Sequence, residues 1–210
     1  MPAKETIELL NWIENVAWRC ICCEHYFGLT TGLSGKFWPL VQNALGEAVC
    51  VFWSHLFGNR TDALHYSQFF SREDVVRTAN GFAAPAVKNR LIKKIGFGEK
   101  EYKEFWKEVK NCRDQFVAHK EVSSKGLIFP RIQNCRIMVE ELRVILEELV
   151  EKWHEACPGD SELKTLKDFY AWNSNKALSN KCQEEFSKGV LWLREELGNK
   201  TLYPSAKDGG

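Results

Sequence analysis

An apolar side chain returns every third or fourth residue along most of this chain, and no run alternates with the period of two that a half-buried strand requires. The cleanest case is residues 99–119, where Tyr102, Phe105, Trp106, Val109, Cys112, Phe116 and Val117 fall at helical spacing. Residues so spaced share one helix face, and that face has to be covered by other helices. The same period predicts helices over residues 5–27, through Ile7, Leu10, Ile13, Val16, Ala17 and Ile21, over 37–57, and over 131–155. Pro39 is tolerated in a first turn, where the amide it lacks has no helical partner. Gly28, Gly58-Asn59 and Pro158-Gly159-Asp160 are the expected stops.

Shorter pieces fill the gaps. Residues 62–70 read as a short segment. Ser71-Arg72-Glu73-Asp74 has the spacing of a capping box opening a helix that breaks near Gly81. Residues 85–95 form another helical piece, Gly96-Phe97-Gly98 is a break, and Ser123-Ser124-Lys125-Gly126 is a turn. Two further helices are expected over 161–171 and 180–197. The expected fold is all-α: an antiparallel helical bundle over 1–158, short C-terminal helices of 159–200 packed on it, and a flexible tail over 201–210.

Charge narrows the function. Lys and Arg total 29 against 28 Asp and Glu, a net charge of +1. A dedicated duplex-DNA binder is more basic, so any nucleic-acid contact has to be local. No stretch approaches the roughly 18–20 apolar residues of a membrane span, and Met1-Pro2-Ala3-Lys4-Glu5 lacks the layout of a secretory signal. The expected setting is cytoplasmic, without a membrane. In a reducing compartment most of the eight Cys are buried thiols.

One pair of residues suggests chemistry. Arg113 precedes His119 by six positions, in Arg113-Asp114-Gln115-Phe116-Val117-Ala118-His119. Arg holds a phosphate through a rigid, always-charged fork. His gives and takes a proton near neutral pH. Together they can bind and cleave a phosphodiester without a metal. The spacing alone is weak, because roughly 0.7 chance matches are expected at this composition. Two other matches occur, Arg19 to His25 across an apolar run and Arg60 to His65 across a loop. Only Arg113 to His119 closes a long amphipathic helix. On it the two residues lie about 60° to either side of Phe116, with an axial offset of about 9 Å. A two-fold pair of such helices assembles a composite cleft more easily than one chain does.

At these residues the chain resembles the HEPN superfamily, helical bundles carrying Arg, four to six intervening residues, then His. The polar Asp114 after the Arg and the small Ala118 before the His fit that pattern, as does the order of long helix, motif, loop with Pro130 and long helix. The resemblance covers roughly residues 5–155, but its specific part is 113–119. The block Trp53-Ser54-His55-Leu56-Phe57-Gly58 is similar to segments of bacterial members. The resemblance implies a metal-independent endoribonuclease, acting as a homodimer in a toxin–antitoxin or anti-phage system, with an antitoxin as a possible partner protein. It assigns His119 to proton transfer at the ribose 2′-hydroxyl or the 5′-oxygen. Arg113 would stabilise the charge growing on the phosphorane-like transition state. Asp114 would orient Arg113 or the opposite chain's His, and the product would carry a 2′,3′-cyclic phosphate. Lys88, Arg90, Lys93 and Lys94 are the expected guides for the RNA backbone. Some members have lost activity, so the rival reading is a catalytically inactive interaction or RNA-binding module.

The remaining constellations point to structure. Cys20, Cys22, Cys23 and His25 crowd one helix, whereas zinc takes two separated ligand pairs, so no metal and no cofactor are expected. A thiol or metal sensor on that cluster is the weakest of three readings. His55 and His65 flank a loop with Asp62 and read as structural. Glu140, Glu141, Glu147, Glu148, Glu151 and Glu155 read as an exposed face. No Walker-type or dinucleotide-type glycine loop is present.

Overall fold

Helical periodicity is realised in the computed structural model, which describes residues 2–33, 37–79, 81–118, 129–173, 184 and 188. In chain order the helices are α1 (Lys4–Thr30), α2 (Phe37–Phe57), α3 (Tyr66–Phe69), α4 (Glu73–Thr78), α5 (Ala84–Lys94), α6 (Glu99–Ala118), α7 (Ile132–Ala156) and α8 (Ser161–Asn173). Among the described residues there is no strand, and the all-α expectation holds. The helix expected over 180–197, the turn at 123–126 and the tail over 201–210 lie outside the described residues, apart from Glu184 and Lys188. No described helix is long and apolar enough to cross a membrane.

The long amphipathic stripes meet in one core. α1 lies against α2 and α7, α6 against α2, and α5 and α8 against α7. Leu10, Ile13 and Ala17 of α1 are buried with Trp53 and Leu56 of α2, Phe105 of α6, and Leu142, Leu146 and Trp153 of α7. Each such side chain contributes about 1.5–3 kcal/mol by leaving water. The Trp53 ring sits 5.2 Å from Phe57 and 5.5 Å from Phe105 between centroids, which seats α6 on α2. Leu163, Leu166 and Tyr170 bring α8 into the same cluster. Gly46 of α2 leaves room for the Phe129 ring, since a Cβ there would fall 2.5 Å from it.

Three local expectations change. α1 runs past Gly28 to Thr30, because the Thr30 and Thr31 hydroxyls donate to carbonyls of Tyr26 and Phe27 in its last turn. The turn comes instead at Gly32, whose φ of 80° suits a residue without a Cβ. Secondly, the capping box at Ser71–Asp74 does not form. Arg72 is the N-cap of α4, and its side chain makes no capping hydrogen bond. The Asp74 carboxylate accepts instead from the Ala3 amide at 2.8 Å and from the Thr6 hydroxyl, tying α4 to the start of α1.

Thirdly, the acidic positions of α7 are not all one exposed face. Glu141 is buried and Glu148 is bound, both by Arg90 of α5. Glu140 binds Arg136, which also reaches Glu24 of α1. Only Glu151 and Glu155 of that set are fully exposed. Carboxylates placed next to an apolar stripe meet cations arriving from neighbouring helices, and a single-helix reading does not see the neighbour.

Candidate functional site

α6 carries the motif, and its own sequence starts it firmly. The Glu101 carboxylate reaches back to accept from the Gly98 amide at 2.8 Å, half of a capping box. Tyr102, Phe105, Val109 and Cys112 then turn inward. Arg113 is the next residue, half-buried at the edge of that stripe. Its Nε donates to Asp114 Oδ1 at 2.8 Å, and its Nη2 donates to the same oxygen. Asp114 therefore fixes the direction of the fork, and Nη1 has no hydrogen bond among the described residues. His119, the residue after the end of α6, and the Phe116 side chain lie outside the described residues.

The expected RNA guides on α5 are mostly occupied. Lys88 binds Glu99 at 3.0 Å. Arg90 donates to Glu141 at 2.6 Å and to both oxygens of Glu148. Lys94 binds Glu141 at 2.9 Å. Burial works against the Glu141 anion, but hydrogen bonds from Lys94 and Arg90 outweigh it and hold the carboxyl below its ordinary pKa. Lys93 is exposed, with no ion pair among the described residues.

The thiols are core residues. Cys20, Cys50, Cys112 and Cys135 come from four different helices and are all buried. Burial pushes the Cys20 and Cys135 thiols well up, which leaves them protonated and unreactive. Cys50 is pushed up by its hydrogen bond to Cys112 and by burial. Among the described residues no group of three or more His, Cys, Asp or Glu is placed to hold a metal ion.

The two loop histidines part company. His55 is exposed, with Nδ1 2.7 Å from Asp62. His65 is buried and caps α3: its Nδ1 accepts from the Ser67 amide at 3.1 Å, while the ring also bonds the Phe57 carbonyl. Burial lowers its pKa, so it is a neutral brace between α2 and α3.

Beside His65 lies a cleft of about 500 Å³ between the α2–α3 turn and α6. Trp106 forms part of its wall, with Nε1 donating to the Phe57 carbonyl at 2.9 Å. Lys103 and Lys107 stand on its rim, and Lys110 lies over the Trp106 ring at 5.1 Å. The sequence reading passed over these lysines. Their spacing of three and four residues around Trp106 was the signal for them. Comparison with protein-family models, curated proteins and solved structures finds no match to this chain.

Proposed function

We propose that this chain is a metal-independent endoribonuclease of the bacterial defence or toxin type, acting as a homodimer with Arg113, Asp114 and His119 at a composite cleft. The observation that carries this reading is the Arg113 fork, held by Asp114 at the C-terminal end of α6 yet a quarter exposed. A guanidinium in that state is aimed, and the edge that Asp114 does not take can bind a phosphate. In the proposed reaction His119 removes the proton of a ribose 2′-hydroxyl. The 2′-oxygen then attacks phosphorus as the bond to the 5′-oxygen breaks; the leaving 5′-oxygen takes a proton from water, and the protonated His119 returns its own to solvent. Arg113 balances the charge that builds on the phosphoryl oxygens. The products are a 2′,3′-cyclic phosphate and a 5′-hydroxyl.

Purified protein in EDTA, given a labelled RNA pool beside His119→Ala and Arg113→Ala, tests this. Wild-type cleavage ending in cyclic phosphate, lost in both variants, supports the reading. Equal cleavage by a folded His119→Ala protein overturns it.

A specific observation favours a second reading, an inactive HEPN-like interaction or RNA-binding module. Three of the four cations expected to guide RNA are already neutralised by carboxylates of the same chain. RNA or partner binding without cleavage, unchanged in His119→Ala, selects the module.

A further inference from the structure

We propose that the cleft between the α2–α3 turn and α6 is an anion site that takes a phosphate ester with an aromatic or apolar body. Four cations line it, namely Arg60, Lys88, Lys103 and Lys107, and no carboxylate does. Lys88 is engaged with Glu99 at the edge. Arg60, Lys103 and Lys107 have no ion pair among the described residues, and all three are exposed. By contrast Arg72, Arg90, Lys94, Arg136 and Arg143 are each paired with a carboxylate. A group of unpaired cations around a concavity raises the local concentration of anions.

The floor argues for an organic body on that anion. Tyr66 and Tyr102 line the cleft beside Phe57 and Trp106, so aromatic rings form part of its wall. Both tyrosine rings are buried, at 5% and 8% exposure, and no hydrogen bond of either hydroxyl is found among the described residues. Neither hydroxyl is one of the fully buried polar atoms, so each meets solvent, where a ligand oxygen can take the place of water. Burial pushes the Tyr66 phenol up to about 12, so it stays a donor at neutral pH. The Tyr102 phenol moves the same way, for the same reason. Donors and cations together select an oxyanion, and the rings select a ligand with an apolar part. The volume, about 500 Å³, lies within the range of small-molecule sites.

The site is separate from Arg113 and does not rest on the ribonuclease reading. Lys103→Ala/Lys107→Ala and, independently, Arg60→Ala alter exposed side chains and leave Arg113, Asp114 and His119 in place. Equilibrium binding of phenyl phosphate, with inorganic phosphate as comparison, is the test. Wild type should bind phenyl phosphate saturably and more tightly than inorganic phosphate. Each variant should weaken that binding about tenfold or more, the loss expected for charge-assisted hydrogen bonds. Tyr66→Phe, which keeps the ring, should weaken it less. Absence of saturable binding, equal binding by the lysine variant, or no preference over inorganic phosphate overturns the proposal. A short single-stranded RNA added as competitor separates two sources of the same chemistry. Displacement of phenyl phosphate assigns the site to a phosphate within an RNA chain, and no displacement assigns it to a free phosphoester; the organophosphate site stands in both cases.

Discussion

The Arg90 guanidinium on α5 grips the buried Glu141 carboxylate of α7 at 2.6 Å. A second carboxylate, Glu148, closes on the other edge of the same fork. Arg90 is thereby a seam between two helices. Lys93, three residues on, faces solvent.

Arg90→Ala should therefore lower stability by about 1–2 kcal/mol, through the charge-assisted hydrogen bonds that Glu141 and Glu148 lose. Lys94 still reaches Glu141 and limits the loss. Lys93→Ala should stay within about 0.5 kcal/mol of wild type. Denaturant unfolding of the two variants side by side checks this. Equal stability would mean that the seam contributes nothing.

The same seam shows where a sequence can and cannot be read. Helices are local, so the spacing of Tyr102, Phe105, Val109 and Cys112 suffices to place α6 and its inward face. Partners are not local: Arg90 and Glu141 are 51 residues apart, and neither position alone tells whether it faces RNA, solvent or the other. The cleft near His65 was hidden for the same reason, since it combines residues of the α2–α3 turn, α5 and α6. Ser71–Asp74 had the right spacing for a capping box, but Thr6 and Ala3 arrive from α1 and claim the Asp74 carboxylate. Of the Arg113–His119 motif, the helix and the arginine were legible and are observed.

Asp114 provides a test that separates function from folding. It is half exposed, and its pairing with Arg113 is between neighbours on the helix surface. Such a pair contributes about 0–1 kcal/mol to stability. Under the ribonuclease reading it aims the fork at phosphate. Asp114→Ala should leave the thermal midpoint almost unmoved while RNA cleavage falls about tenfold or more, because a misdirected Arg stabilises the transition state poorly. An unchanged cleavage rate removes Asp114 from the site.

Acid should act on the joint between α1 and α4. Burial opposes the Asp74 anion, yet hydrogen bonds from Thr6 and the Ala3 amide, with Arg72 beside them, hold its pKa below the ordinary 3.8. A carboxyl depressed on folding stabilises the folded state at pH values above its unfolded pKa, and that stabilisation is lost as pH falls through the folded value. Asp74→Ala should cost about 1–3 kcal/mol at neutral pH. The gap to wild type should stay level down to about pH 4 and narrow below it. Urea unfolding of both proteins at neutral and acid pH reads the gap directly. A gap that widens in acid contradicts the assignment.

Glu14 and Arg143 test the core itself. The Glu14 carboxylate of α1 is buried, and Arg143 of α7 meets it at 2.6 Å through both Nε and Nη2. The second Glu14 oxygen has no hydrogen-bond partner among the described residues, and the guanidinium lies 5.3 Å from the Trp18 ring centroid. Charges taken out of water recover their hydration energy only through each other. Arg143→Met removes the partner and strands a buried anion, so it should cost about 3–5 kcal/mol. Glu14→Leu in the same protein removes the stranded charge. The Glu14→Leu/Arg143→Met protein should then be more stable than Arg143→Met alone and close to wild type. A double variant no more stable than the single one would show that the arginine stabilises through its stem and the Trp18 contact, and not through the charge on Glu14.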